Sequence, residues 1–344
     1  MKKTTVYLFL FIGILVCFSV SCHQDSSRVI RIGGSSTLYP LSVAVTEEYR
    51  RQASDTRIAI GFSGTGGGLR GFIDGEIDIA DASRPISLDE QSLAREKGID
   101  FIELPVAYDG IVIAVNSAND WCDSLTVAEL KRIWAAGSQN RLVLWSQIRS
   151  DWPESRIFLF GPGTNSGTLY YFTSSIIGET MGIRGDFSSS EDDNLTVLAL
   201  RNNPLGMGFF SYTYYQKNQD SLKLVAIDDE NPDNGPGPVR PGVNSIMDGT
   251  YQPLSRPLFI YVGKETEQGS ELWDYLEFYL ETVPLVASDV GLVPLPEMLY
   301  SLVGERLRRK ISGSMYGGID SGYGSSVAEL LRKQHSFSQG EKEQ

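Results

Sequence analysis

Four short stretches of glycine and hydroxyl residues, each at the end of an apolar run, are the parts of this chain whose types and spacing could do chemistry. The run 29–32 leads into Gly33-Gly34-Ser35-Ser36-Thr37, and 58–61 leads into Ser63-Gly64-Thr65-Gly66-Gly67-Gly68. The run 77–80 leads into Asp81-Ala82-Ser83-Arg84-Pro85, and 157–160 into Gly161-Pro162-Gly163-Thr164-Asn165-Ser166-Gly167-Thr168. The chemistry such turns offer is anion binding. A helix start presents unpaired N–H groups at the positive end of the helix dipole, and a Ser or Thr there adds a hydroxyl donor. Glycine lets the backbone come close to a ligand. One such turn is ordinarily only a cap and a bend. Four of them at the carboxyl ends of strands, where ligands of open α/β sheets bind, point to convergence on one oxyanion.

The anion is small. No Gly-Lys-Ser/Thr follows Gly64-Thr65-Gly66-Gly67-Gly68, and no dinucleotide spacing is present. The chain has 344 residues with 43 Asp+Glu against 30 Lys+Arg, a formal net charge of -13. That balance supplies no basic surface for a nucleic acid. Two histidines, His23 and His335, and three cysteines leave no metal-ligand cluster and no Ser-His-Asp or Cys-His set, so neither a metal nor another cofactor is expected.

Strand-like and helical patterns alternate along the chain, which implies α/β architecture with mostly parallel sheets. Strands are expected at 29–33, 57–62, 77–80, 111–116, 156–160, 205–211, 222–227 and 257–262, with helices at 41–51, 87–97, 127–134, 169–177 and 272–282. The length suits two lobes. Extended runs at 107–116 and 255–262 are where the chain would cross between them, with hinges near Asp109 and Ser255. The expected division is lobe I from 22–108 plus 258–309, lobe II from 109–257, and a mobile tail from 310–344 in which 327–333 is either a docking helix or nothing. Residues 190–194 read as a loop start and helix cap. Trp121, Trp134, Trp145 and Trp152 read as packing, and Tyr212, Tyr214 and Tyr215 as packing at a strand end.

Residues 1–21 read as an export signal: Lys2 and Lys3, an apolar stretch, then Ser19-Val20-Ser21 before Cys22. The pattern resembles a bacterial lipoprotein signal, with Cys22 left to carry lipid, and Ser19 stands where that pattern usually has Leu. An uncleaved anchor and plain secretion are the alternatives. Cys122 then has no partner for an intramolecular disulfide.

Together the motifs resemble the PstS-type phosphate-binding proteins of ABC importers. They are Gly34-Ser-Ser-Thr-Leu-Tyr-Pro40, Gly61-Phe-Ser-Gly-Thr-Gly-Gly-Gly68, Asp78-Ile-Ala-Asp-Ala-Ser-Arg-Pro85 and Gly163-Thr-Asn-Ser-Gly-Thr168. The likeness extends through Leu104-Pro-Val-Ala-Tyr-Asp-Gly110, Ser190-Glu-Asp-Asp-Asn194 and Pro253-Leu-Ser-Arg-Pro-Leu-Phe-Ile-Tyr261, and covers about residues 29–265. It implies a type II periplasmic-binding-protein fold, two α/β lobes joined by two crossover strands and closing on one phosphate. Carried over position by position, it places Ser36, Thr37 and the Leu38 N–H on the ion from the first turn, Thr65 from the second, and Ser166, Gly167 and Thr168 from the fourth. It implies a monomeric receptor that hands phosphate to the membrane subunits of an ABC permease.

Two departures matter. One branch of the family has an arginine before the Ser-Gly-Thr turn, where this chain has Pro162 and Gly163, and Arg84 is the expected substitute. The same branch has Asp where this chain has Ser83, so Asp81 or Asp109 is expected to accept the proton that phosphate carries near neutral pH. Other readings stay open: a receptor for sulfate or molybdate, a phosphate sensor, or a hydrolase using Ser36, Ser63 or Ser166, which would lack a nearby base.

Overall fold

The computed structural model describes residues 29–52, 56–316, 327 and 329–332; the export segment 1–21 and Cys22 lie outside them. The chain opens as strand, helix, strand, helix, strand, helix: β1 (Val29–Gly34), α1 (Tyr39–Gln52), β2 (Arg57–Ile60), α2 (Gly64–Ile73), β3 (Ile79–Ala82) and α3 (Leu88–Glu96). In β1, Ile30 and Ile32 point inward while Val29 and Arg31 face out, the period-2 pattern that commits a strand to one face. β1 pairs in parallel with β2 and β3. α3 starts with a capping box in which Ser87 and Glu90 satisfy each other's backbone N–H groups.

β4 (Phe101–Asn116) then runs 16 residues, all buried but Tyr108. Such a run carries little alternation because both faces are covered. It starts earlier than the pattern suggests, since Glu103, Pro105 and Asp109 interrupt the apolar sequence. Pro105 is tolerated where the ladder with β10 slips at a bulge. The second half contains β5 (Ser124–Thr126), α4 (Val127–Trp134), β6 (Phe158–Pro162), α5 (Gly167–Phe172), β7 (Ser188–Ser190) and α6 (Asp193–Arg201). It continues through β8 (Gly206–Ser211), α7 (Tyr212–Gln216), β9 (Leu222–Asp228) and α8 (Val243–Met247). The chain returns through β10 (Ser255–Gly263) and ends in α9 (Glu271–Val286), β11 (Val293–Pro294) and α10 (Glu297–Arg308).

The hydrophobic core falls into two clusters. One joins Ile30, Ile32, Leu69 and Ile79 with Leu258 to Val262 and the buried face of α9. The other joins Ile111 to Val115 with Trp134, Leu159, Phe209 and Val225. β4 belongs to both. Its first part, to Gly110, pairs with β10, and its last part pairs with β8 and β9. The sheets are mixed rather than mostly parallel. Outer strands are parallel, while β4 and β10 are antiparallel to each other, because a chain that leaves a lobe on one strand must return on a strand of opposite sense. The two crossings are bonded together by Ile111 N–H to the Leu254 carbonyl, 2.8 Å.

The segment after 310 departs from the expected mobile tail in its described part. Met315, Tyr316, Val327 and Leu331 are buried in the first core. Fully buried Glu103 of β4 holds this segment, accepting from Tyr261 Oη at 2.6 Å, Met315 N–H at 2.8 Å and the Ser314 hydroxyl at 3.1 Å. Gly313 N–H donates to the Phe101 carbonyl, and Arg306 bridges the Glu103 and Gly313 carbonyls. A Gly/Ser-rich composition conceals this docking because the partner lies some two hundred residues away in sequence.

Candidate functional site

Each of the four turns is shaped by the backbone around it. Gly34, at φ +129, ends β1 against the Asp81 carbonyl of β3, where a Cβ would overlap that oxygen. Gly64, at φ +75, starts α2 in the left-handed region that glycine adopts without strain. Ser83 follows the last residue of β3. Ser166 caps α5, its hydroxyl accepting the Thr168 N–H at 3.1 Å.

The turns meet one another. The Ser83 N–H donates to Thr65 Oγ1 at 3.0 Å, and the two hydroxyls lie 3.2 Å apart. A Cβ on Gly167 would fall 2.5 Å from Ser83 Oγ and still closer to Thr65 Oγ1, so the start of α5 presses directly on the second and third turns. The Gly66 N–H donates to the Asn165 carbonyl at 2.9 Å, and Tyr214 Oη donates to the Ser36 carbonyl at 2.8 Å. These bonds join segments of the two cores, so the conformation is a closed one.

Arg256 stands at the centre. Its Nη2 donates to Thr168 Oγ1 at 2.8 Å, to Asp109 Oδ2 at 2.8 Å and to Thr37 Oγ1 at 3.4 Å, while Nη1 donates to the Ser83 carbonyl at 3.1 Å. Nε completes a fork on the same Asp109 oxygen at 3.1 Å, and Ser211 donates to the other at 2.7 Å. Both side chains of the Arg256–Asp109 pair are fully buried. The pairing follows from register: Arg256 and Asp109 are cross-strand partners of β10 and β4 where the chain crosses between lobes. One guanidinium thus touches the first, third and fourth turns.

The chain is similar to known proteins over most of its length. A family model described as a PBP superfamily domain matches residues 21–281. Protein SphX of Synechocystis sp. is 39% identical over 329 residues, 95% of each chain. The phosphate-binding protein PstS of Staphylococcus aureus is 35% identical, over 81% of this chain and 82% of its own. The chain belongs to the PBP superfamily, with the PstS and SphX proteins. A crystal structure of a possible phosphate binding protein from Planctomyces limnophilus is 36% identical, with a TM-score of 0.62 over 83% of this chain and 99% of that one.

Within this PstS-type fold, the sequence reading and the structure agree on some residues and differ on others. Thr37, Thr65, Ser83, Gly167, Thr168 and Asp109 come together. Ser36 and Ser166 flank them, and the Leu38 side chain is buried in the first core, which leaves only its backbone for the site. Arg84 is directed elsewhere. Its guanidinium grips Glu90 with two 2.7 Å bonds, donates to the Pro85 carbonyl and stacks 4.6 Å over the Tyr170 ring. It is held by Glu90, and the arginine that bonds to Thr37, Ser83 and Thr168 is Arg256. The signal for Arg256 was an arginine between Ser255 and Pro257 at the mouth of an otherwise apolar strand. Tyr214, read as packing, bonds across the cleft. The motif at 190–194 does contain a helix cap, Asp192, but it also buries Asp193.

The Asp81 carboxylate bonds to none of the four turns. Its Oδ2 accepts from Ser42 of α1 at 2.7 Å, within the first core, and its Oδ1 has no partner. Burial pushes this carboxyl up to about 7. The folded chain therefore takes up a proton below about pH 7 that the unfolded chain takes up only near the ordinary carboxylate range. The resulting stability is complete below that range and is lost as pH rises through about 7. The melting temperature of the ligand-free protein is expected to fall between pH 5 and pH 8, and Asp81→Asn to flatten that fall. Thermal unfolding across this range checks it; an unchanged slope in the variant would show that Asp81 is not the titrating group.

Proposed function

We propose that this chain is an extracytoplasmic receptor that captures inorganic phosphate between its two lobes and delivers it to an ABC-type phosphate permease. The observation that carries this reading is the meeting of four glycine and hydroxyl turns, three of them on one buried, carboxylate-paired arginine and the second through Thr65 on Ser83. Hydroxyls and helix-start N–H groups are donors aimed at a small oxyanion, and their hydrogen bonds to a charged acceptor strengthen once water is excluded. Thr37, Thr65, Ser83, Thr168 and the backbone at Leu38 and Gly167 are the proposed ligands, with Ser36 and Ser166 beside them. Arg256 provides charge and Asp109 orients it. The names of PstS relatives at 34–35% identity, each a phosphate-binding protein, agree with this ligand.

The chemistry is binding rather than catalysis. The described residues include no histidine, and Asp109, which shares Arg256 with Thr37 and Thr168, is committed to Arg256 and Ser211. Export with lipid on Cys22, which would tether a monomeric receptor near its permease, completes the proposal. Titration calorimetry with phosphate and then sulfate tests the ligand. Saturable 1:1 phosphate binding with a raised melting temperature is expected. Equal displacement of phosphate by sulfate, or steady turnover of a phosphate ester, would overturn the reading.

A further inference from the structure

The residues just before the Asp192 cap hold the loop that carries the fourth turn. The Ser190 carbonyl accepts the Gly163 N–H at 2.8 Å, and Glu191 Oε1 accepts the Asn165 N–H at 2.9 Å. The Glu191 side chain lies against Gly163, where a Cβ would overlap its carboxylate. This loop leads into α5, which packs in the second core, yet it reaches α2, which packs in the first. Its Asn165 carbonyl accepts the Gly66 N–H of α2 at 2.9 Å. Glu191 goes with it: a Cβ on Gly64 would fall 2.5 Å from the Asn165 carbonyl oxygen and 2.8 Å from Glu191 Oε2. Ser63 and Asn165 are exposed, so this contact lies at the edge of the cleft.

The two oxygens of the Glu191 carboxylate fare differently. Oε1 keeps the Asn165 N–H, whereas Oε2 is shut away from solvent with no hydrogen-bond partner. Burial pushes this carboxyl up, and the Asn165 N–H offsets that only in part. Arg84, whose guanidinium lies near Gly66, is spent on Glu90 and the Pro85 carbonyl. Because Oε2 is covered by Gly64 of the opposite core, it faces water when the two sides part. Closing removes that water and supplies no donor, a costly exchange for an ionised oxygen.

We propose that Glu191 sets how readily the closed receptor lets its anion go, because closure desolvates its carboxylate without giving it a donor and so favours reopening. The proposal rests on the phosphate reading above. A receptor that hands its ion on must reopen, and the donor turns with Arg256 would otherwise hold it longer. A penalty borne by the closed state lowers apparent affinity by the fraction of closed protein lost. It shows in dissociation more than in capture.

Glu191→Gln tests this, since the carboxamide still accepts the Asn165 N–H but carries no charge. Dissociation of radiolabelled phosphate is timed after dilution into excess unlabelled phosphate, and calorimetry gives Kd. In the variant, release should slow and Kd should fall by about 3- to 30-fold. Asp192→Asn is the control: it removes the adjacent charge and keeps a capping side chain, so both quantities should stay within about twofold of wild type. High salt screens a field between exposed charges but not a desolvation, so the gain in Glu191→Gln should persist there. A glutamate that served only to hold the loop would give a variant that releases phosphate as fast as wild type or faster, which overturns the proposal. So does a gain that Asp192→Asn matches or that high salt abolishes. A wild type that binds no phosphate instead overturns the reading on which the proposal stands.

Discussion

Arg256→Ala is expected to cost about 2–5 kcal/mol of phosphate affinity, roughly 30- to 5,000-fold in Kd. Two effects add. The anion loses the cation that reaches three of the four turns, and Asp109 is left as a buried charge whose remaining partners are neutral. The second effect also lowers the stability of the ligand-free protein, because removing one member of a buried pair strands the other. A double variant, Arg256→Met with Asp109→Leu, separates them: melting temperature should recover toward wild type while phosphate binding does not. Arg84→Ala offers the contrast. It removes the pair with Glu90 and a stack on Tyr170 worth about 0.5–2 kcal/mol but none of the bonds that Arg256 makes to Thr37, Ser83 and Thr168, so affinity should fall about 2- to 30-fold. Wild-type affinity in Arg256→Ala would remove this arginine from the anion's cradle, and a larger loss in Arg84→Ala than in Arg256→Ala would return the role to Arg84.

Gly167→Ala should weaken phosphate binding about 5- to 150-fold without lowering the melting temperature of the ligand-free protein. Its added methyl would overlap Thr65 Oγ1 and lie 2.5 Å from Ser83 Oγ, both on short, buried side chains that cannot swing aside. Overpacking of this kind costs about 1–3 kcal/mol. Here it arises only when the start of α5 presses on the second and third turns, so it acts on the closed state alone. A penalty confined to one of two states lowers apparent affinity by the fraction of closed protein lost. Phosphate titration measures the affinity, and small-angle scattering at saturating phosphate shows whether the variant still compacts. Unchanged binding would mean that the close approach at Gly167 is not needed for capture.

Much of this was legible from residue types because the signals were local. A strand end, a glycine and a hydroxyl before a helix occupy a few consecutive positions, so the four turns could be read directly. Where the outcome depended on which partner a side chain took in the fold, residue types did not decide it. Arg84 sits within a turn and is adjacent in sequence to the site, yet Glu90, on the next helix, draws its guanidinium away. Arg256 is 88 residues from Thr168 and 147 from Asp109, and only the register of β10 on β4 brings them together. The tail beyond 310 looked unanchored for the same reason, since Glu103, which holds it, lies in an early strand.

The sequence by itself determined the class of ligand, a small oxyanion met by neutral donors despite a chain charge of -13, because donor types and their helix-start positions are local properties. The tertiary structure decided which charges are brought to the four turns. Arg256 and Asp109 meet through strand register, and burial then makes their partnership strong. A buried charge must be satisfied by whatever the fold puts beside it, and no pattern of neighbours in the sequence specifies that.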